Sequence, residues 1–139
     1  MEAIDKRITA FLKKKHVLHL ATSVNDMPYA ASLFYIYIED DNMLVFASDS
    51  KTIHITQAMQ NANVAGTIAD QTFITGRIRG IQFNGVLSEL NNEILRKTYI
   101  SRFPVALFMP LTLWGIRLNY LKMTDNRLGF GKKIIWKNA

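Results

Sequence analysis

Three apolar segments follow one another so closely that they leave this chain few folds to choose from. HVLHLATSV at 16 to 24, YAASLFYIYI at 29 to 38 and MLVFAS at 43 to 48 are rich in β-branched and aromatic residues, and they are parted by Asn25-Asp26-Met27-Pro28 and by Glu39 to Asn42. Such side chains suit a pleated, half-buried surface, and the breaks carry turn chemistry. Connections this short join antiparallel neighbours, because a parallel return needs about a dozen residues or more. An antiparallel meander is therefore expected.

Val64 to Ala69 reads as a fourth strand, Phe73 to Leu90 alternates loosely around glycines at 76, 80 and 85, residues 112 to 124 form a long strand, and LGFGKKIIW supplies a last one. Glycines inside strands mark bends or bulges, which a small sheet needs if it is to curl toward closure. Helices interrupt the strands. Ile4, Ile8, Phe11 and Leu12 make one apolar stripe along residues 2 to 15. A second helix starts at about Ser50 as N-cap, with Ile53, Gln57 and the Ala58-Met59 pair on its inner side, and stops at Asn61-Ala62-Asn63. A third runs from an Asn91 cap to about Phe103, with Leu95, Tyr99 and Phe103 aligned, and Pro104 ends it. Strand and helix do not alternate as a parallel α/β fold requires. The expectation is a mainly β (α+β) antiparallel barrel of six to seven strands with short flanking helices, built as one domain from the 139 residues.

The chain has no cysteine, which excludes disulfides, a thiolate nucleophile and Cys-ligated zinc or iron–sulfur centres. No apolar run approaches the ~20 residues of a membrane span, and the first residues are neither a basic nor an apolar leader, so a cytoplasmic protein is expected. The net charge is +6, and the excess sits in the first 15 and last 18 residues. Lys13-Lys14-Lys15 with Lys132, Lys133 and Lys137 read either as a basic patch or as solvated lysines. No nucleic-acid module accompanies them, and neither nucleic acid nor a membrane is expected as partner.

Function concentrates between Leu44 and Gly66. A strand ends in Ser48, a turn carries Ser50, Lys51 and Thr52, and a helix starts there. Hydroxyls, a cation and the free N–H groups of a helix start are what a phosphate monoester requires, so this is a candidate mononucleotide-phosphate cradle. His54, in the first helical turn, could bond that phosphate or a substrate anion, ligate haem, or be structural. His16 and His19, three apart at a strand start, face opposite ways, which argues against a shared metal. Ser48, His54 and Asp49 hold the groups of a hydrolase triad without a Gly-x-Ser-x-Gly elbow. Gly129-Phe130-Gly131-Lys132-Lys133 lacks the spacing of a P-loop and reads as a strand with a glycine bulge. Arg77 and Arg79 share one strand face, where they could meet an anion or face solvent. Trp114, Trp136, Phe34, Tyr35, Phe83 and Phe130 are either core and interface or aromatics flanking a bound ring.

The succession HVLHLATS, ASLFYIY, LVFASDSKTIH, NANVAGTI and IRGIQFNGVL resembles the FMN-binding split-barrel family typified by pyridoxamine 5′-phosphate oxidase. IRGIQFNG, SRFPVALF, LWGIRL and TDNRLGFGKKIIW are similar to its YhbP-like bacterial branch. The resemblance implies a split β-barrel, a homodimer, and one FMN in each of two clefts between the subunits. Carried onto matching positions, it sets Ala31 and Ser32 against the isoalloxazine ring, and Ser48, Ser50, Lys51 and Thr52 against the phosphate and ribityl chain. This chain departs from the family in three places. The family's Ser-Arg-Lys turn is Ser50-Lys51-Thr52 here, Tyr29 to Phe34 supplies no base, and the C-terminal Arg-x-His substrate element has no counterpart in GFGKKIIW. Arg79 and Lys132 are bases that could compensate, Lys132 by reaching across a dimer interface. Pyridoxamine phosphate oxidation is not expected. The implied function is a flavin-dependent oxidoreductase or flavin reductase acting on an unidentified small substrate, the alternative being a non-catalytic flavin- or haem-binding protein using the same cleft. In either case the cofactor carries the chemistry, which fits a chain without an acid–base or nucleophile signature.

Overall fold

The computed structural model describes residues 3–109, 111–129 and 132–138. The strands are β1 (Val17–Val24), β2 (Met27–Ile38), β3 (Met43–Ser48), β4 (Asn63–Ala69), β5 (Arg79–Leu90), β6 (Thr112–Asp125) and β7 (Lys133–Lys137). Three helices are inserted, α1 (Lys6–Lys14), α2 (Ile53–Gln60) and α3 (Glu93–Arg102), with 3-10 turns at Thr75–Arg77, Pro104–Phe108 and Asn126–Leu128. The sheet runs β3-β2-β1-β4-β5-β6-β7, every pairing is antiparallel, and β3 also pairs with β6. That extra pairing closes β1 to β6 into a six-stranded barrel and leaves β7 as an appended strand. The expected fold class is what forms. Among the described residues no helix is long and apolar enough to cross a membrane.

The meander forms as its turns dictate. Asn25 and Asp26 take φ of 52° and 63°, the left-handed pair that a two-residue hairpin needs and that Asn and Asp tolerate. β1 pairs with β2 from Met27 to Phe34, whereas β3 pairs only with Tyr35 to Ile38. The first part of β2 therefore has β1 on one side and no described strand on the other.

Alternation fills the interior. Leu18 and Leu20 of β1, Tyr35 of β2, Leu44 and Phe46 of β3, and Ile81 and Phe83 of β5 join Ile8, Phe11 and Leu12 of α1 and Ile55 and Ala58 of α2 in one core. Burying each such large side chain contributes roughly 1.5–3 kcal/mol. A smaller cluster lies on the outer face, where Leu95 and Tyr99 of α3 and Phe103 just after it cover Ile36, Met43, Val45 and Leu113.

β6 carries the one break in this alternation that matters for the site. Trp114, Ile116 and Leu118 are buried, then Leu121 and Met123, so the inward set changes from even to odd numbers. Asn84 pairs with Tyr120 and Gly85 with Leu118, leaving Asn119 as an extra residue. Gly85 is required there, since a Cβ would stand 2.6 Å from the Arg117 carbonyl oxygen and from Ile116. At the same point β6 exchanges β3, which it pairs through Arg117, for β7, which it pairs from Tyr120.

Some expectations are corrected. α2 starts at Ile53 with Thr52 as N-cap rather than at Ser50, because Asp49 first ties a turn. Its buried residues are His54, Ile55 and Ala58, while Ile53 and Met59 are exposed. Residues 73 to 78 are not strand, so Arg77 sits in a 3-10 turn and does not share a strand face with Arg79. Asn92, not Asn91, caps α3 by accepting from Leu95 N at 3.1 Å. The strand start expected in GFGKK moves to Lys133, and Phe130 and Gly131 lie outside the described residues.

Candidate functional site

Two features adjoin the open part of β2. The first is the turn from β3 to α2. Ser48 ends β3, and its carbonyl accepts the Trp114 indole N–H at 2.9 Å. The Asp49 carbonyl accepts from Thr52 N at 3.2 Å and from the Thr52 hydroxyl at 2.9 Å, and its carboxylate accepts Lys51 N at 2.8 Å. The Thr52 hydroxyl is thereby diverted from capping, and the first N–H groups of α2 have no side-chain cap. Ser50 and Lys51 are exposed, and Lys51 forms no ion pair with a described residue. The turn thus offers free helix-start N–H groups, a hydroxyl and an ammonium. Asp49 is the carboxylate within it, already engaged by a backbone N–H.

The second feature is a cleft of about 440 Å³ on the outer face, between β2, the end of β3, α3 and the 3-10 turn after it. Ser32, Phe34, Ala47, Tyr99, Arg102 and Phe103 are among its lining residues. The Tyr99 hydroxyl donates to the Phe34 carbonyl at 3.0 Å, and the Phe103 ring tilts against Phe34 and Tyr99 at 5.2 and 5.1 Å. Burial pushes the Tyr99 phenol up, which keeps it a neutral donor. Arg102 donates to the Lys15 carbonyl at 3.0 Å and to His16 Nδ1, which pins α3 to the start of β1 and places a cation in the lining. Ala47 lines the cleft on the outer face, whereas the next residue, Ser48, turns inward to His54, and the turn follows from there.

The expected site residues are only partly brought together. Ser32 lines the cleft with its hydroxyl 2.8 Å from His19 Nδ1, and half-buried Ala31 is its chain neighbour, on the other face of the strand. Ser48 and His54 meet, Oγ to Nε2, at 2.7 Å, with the Thr52 hydroxyl 3.3 Å from the same nitrogen. They are 6% and 8% exposed, and burial lowers the His54 pKa, so the ring is neutral beneath the turn. The Asp49 carboxylate is turned to Lys51 N, so no Ser–His–acid relay forms. Ser50, Lys51 and Thr52 stand together. Arg79 does not join them: it bonds Asp70 at 2.8 Å, alongside Lys15, at the Asp125 end of β6, whereas Ser48 pairs with Thr112 at the other end. Lys132 is also at the far end, its carbonyl accepting Asp125 N at 3.2 Å.

Tyr99, Arg102 and Phe103 were not among the expected site residues. Their signal was the Leu95, Tyr99, Phe103 stripe, since a phenol on an apolar helical face needs a polar partner where it docks.

No protein-family model matches this chain. It is 41% identical over 142 residues to a UPF0306 protein of Cronobacter sakazakii, covering 100% of this chain and 98% of that one. It is 39% identical over 132 residues to the UPF0306 protein YhbP of Salmonella schwarzengrund, covering 93% and 90%. Among solved structures, a FAD-binding protein of Mesorhizobium loti superposes with a TM-score of 0.74 at 19% identity, covering 87% of this chain and 94% of that one. A heme binding protein of Mycobacterium smegmatis gives 0.78 at 13% identity, with 99% of this chain against 60% of that one. A Listeria innocua protein provisionally assigned as a pyridoxamine 5′-phosphate oxidase gives 0.68 at 16% identity, covering 83% and 93%. At such identities the likeness is one of fold.

Proposed function

This chain belongs to the UPF0306 family, and on that footing we propose that it binds FMN, the phosphate on the Ser50–Thr52 turn and the ring in the adjoining cleft against Ser32. The observations that support this reading are an apolar cleft of about 440 Å³ lined by Ala47 at the end of β3, and, following Ala47 in the chain, a turn whose helix N–H groups are uncapped. A flat ring suits an apolar slot edged by a few donors, and a dianion suits a helix start beside an ammonium.

When bound, FMN supplies hydride and electron transfer from a nicotinamide or another small donor. The chain's part is to hold and orient it. Lys51 and the first N–H groups of α2 hold the phosphate, and the Ser50 and Thr52 hydroxyls flank it. Ser48 and His54 brace the turn from below through their mutual bond. Ser32 supports the ring from β2, while the Ala31 side chain points to the other face of that strand. Lys132 reaches the phosphate from a second subunit, so the active form is a homodimer with a cofactor in each of two inter-subunit clefts, while Arg79 stays bonded to Asp70. We read it as a flavin-dependent oxidoreductase or flavin reductase acting on a small substrate.

FMN titration followed by flavin fluorescence quenching tests this. Wild type is expected to quench, and Lys51→Ala to bind roughly tenfold more weakly, as removal of one charge-assisted partner predicts. Absence of quenching, or equal affinities, overturns the placement. A second reading, haem in the same cleft, draws on the fold shared with the heme binding protein of Mycobacterium smegmatis. A Soret band on haem addition together with no response to FMN would favour it.

A further inference from the structure

Part of the charge excess carried by the two ends of the sequence converges in the fold on one cavity. Arg7 and Lys14 of α1, Arg79 of β5, Asp125 at the end of β6 and Arg127 in the 3-10 turn after it line a space of about 240 Å³, with buried Phe11 beside them. The cavity lies where Arg79 pairs with Asp125, whereas Ser48, which leads into the Lys51 turn, pairs with Thr112 at the other end of β6.

Carboxylates hold these cations without exhausting them. Asp5 accepts from Arg7 Nε at 3.0 Å and Nη2 at 2.8 Å, and Asp125 accepts from Arg127 Nε and Nη2 at 3.0 Å each. Each fork takes one edge of a planar guanidinium, and among the described residues no hydrogen bond engages the Nη1 edge. Arg79 donates Nε to Asp70 at 2.8 Å and stands 5.0 Å from the centre of the Phe11 ring. Lys15 also pairs with Asp70, and Lys14 forms no ion pair with a described residue. Arg7, Lys14, Lys15, Arg79 and Arg127 thus meet Asp5, Asp70 and Asp125, five positive charges against three negative. A surplus gathered around one concavity attracts a multiply charged anion.

We propose that this cavity binds a diphosphate group, free or carried by a nucleotide, between the open guanidinium edges of Arg7 and Arg127, with Lys14 adding a point charge and Arg79 the inner wall. Guanidinium edges match phosphoryl oxygens, and two of them from separate elements suit an anion with two such groups. The space is smaller than the roughly 300–1,000 Å³ that encloses a whole small molecule, so it takes a head group and leaves the rest of a larger ligand outside. None of Ser48, Ser50, Lys51 and Thr52 lines it, so the site stands apart from the flavin reading.

Isothermal titration calorimetry of the full chain with sodium pyrophosphate tests the proposal, with inorganic phosphate and ADP in parallel. Pyrophosphate is expected to bind saturably, and inorganic phosphate roughly tenfold more weakly. Arg7→Gln and Lys14→Gln, both at exposed positions, are each expected to weaken pyrophosphate roughly tenfold with unchanged circular dichroism, and Arg7→Lys to recover only part of the loss. Lys6→Gln, exposed on the same helix but outside the lining, is expected to leave affinity unaltered. ADP as tight as pyrophosphate supports a nucleotide as the source, and much weaker ADP supports the free anion. Absence of saturable pyrophosphate binding, phosphate as tight as pyrophosphate, no loss in Arg7→Gln and Lys14→Gln, or an equal loss in Lys6→Gln overturns the proposal. So does a loss in Lys51→Ala as large as in Arg7→Gln, which would return the anion to the β3–α2 turn. FMN quenching without pyrophosphate binding sinks this site and leaves the flavin reading standing, and pyrophosphate binding without FMN quenching does the reverse.

Discussion

Ser48 Oγ lies 2.7 Å from His54 Nε2, so the last residue of β3 and the first turn of α2 are joined under the surface of the turn. Burial lowers the His54 pKa from 6.5, so the folded chain binds this proton less readily than the unfolded chain does. Stability from this group is complete above pH about 6.5 and is lost as pH falls below it. Thermal melts are expected to show Tm dropping between pH 7 and pH 5, and His54→Gln to flatten that slope. An unchanged slope in the variant would place the source elsewhere.

The Asp70 carboxylate titrates in a lower window. Burial acts against its charge, but the bonds from Lys15 and Arg79 outweigh burial and hold its pKa below 3.8. The stability these bonds contribute is present above pH about 4 and is lost as pH falls through the depressed value. Asp70→Asn is expected to cost about 1 kcal/mol at pH 7, the scale of a partly exposed pair with good geometry, and much less at pH 3. Urea melts at the two pH values check it.

Gly66 faces the core where the Phe83 ring and the His19 carbonyl leave no space for a Cβ. A backbone oxygen cannot move aside without breaking the pairing of β1 with β4. Gly66→Ala is expected to destabilise by about 3 kcal/mol in urea unfolding. Adding Phe83→Leu should recover only the part due to the ring.

If Lys132 reaches the phosphate from the partner subunit, Lys132→Ala should weaken FMN binding several-fold and reduce its salt dependence. Lys137→Ala, exposed on β7, should leave affinity unaltered and serves as the control for bulk charge. Equal effects of the two would reduce the role of Lys132 to net charge.

The elements with a single dominant period were legible in the sequence. MLVFAS is β3 to the residue, and Ile8, Phe11 and Leu12 form the buried stripe of α1. What stayed hidden depended on partners remote in the chain. Gly85 does mark a bulge, but the extra residue belongs to β6, at Asn119, and a glycine cannot announce that its neighbour is the longer strand. Arg77 and Arg79 looked like a pair because period two was extended across residues that form a 3-10 turn. The β3–α2 turn was found from its residue types, while the internal bond between Ser48 and His54 required knowing that both side chains face the core. The cleft was least visible, since it arises only when α3 docks on the outer face of β2 and β3.

The extra residue in β6 works as a joint between two halves of one strand. A chain lacking Asn119 would have to choose between keeping Trp114, Ile116 and Leu118 inside and keeping Leu121 and Met123 inside. With the joint in place, the half that closes the ring of strands and the half that carries β7 are registered separately. A change in the length of β7 therefore leaves untouched the strand pairing that seats the turn and cleft at the other end.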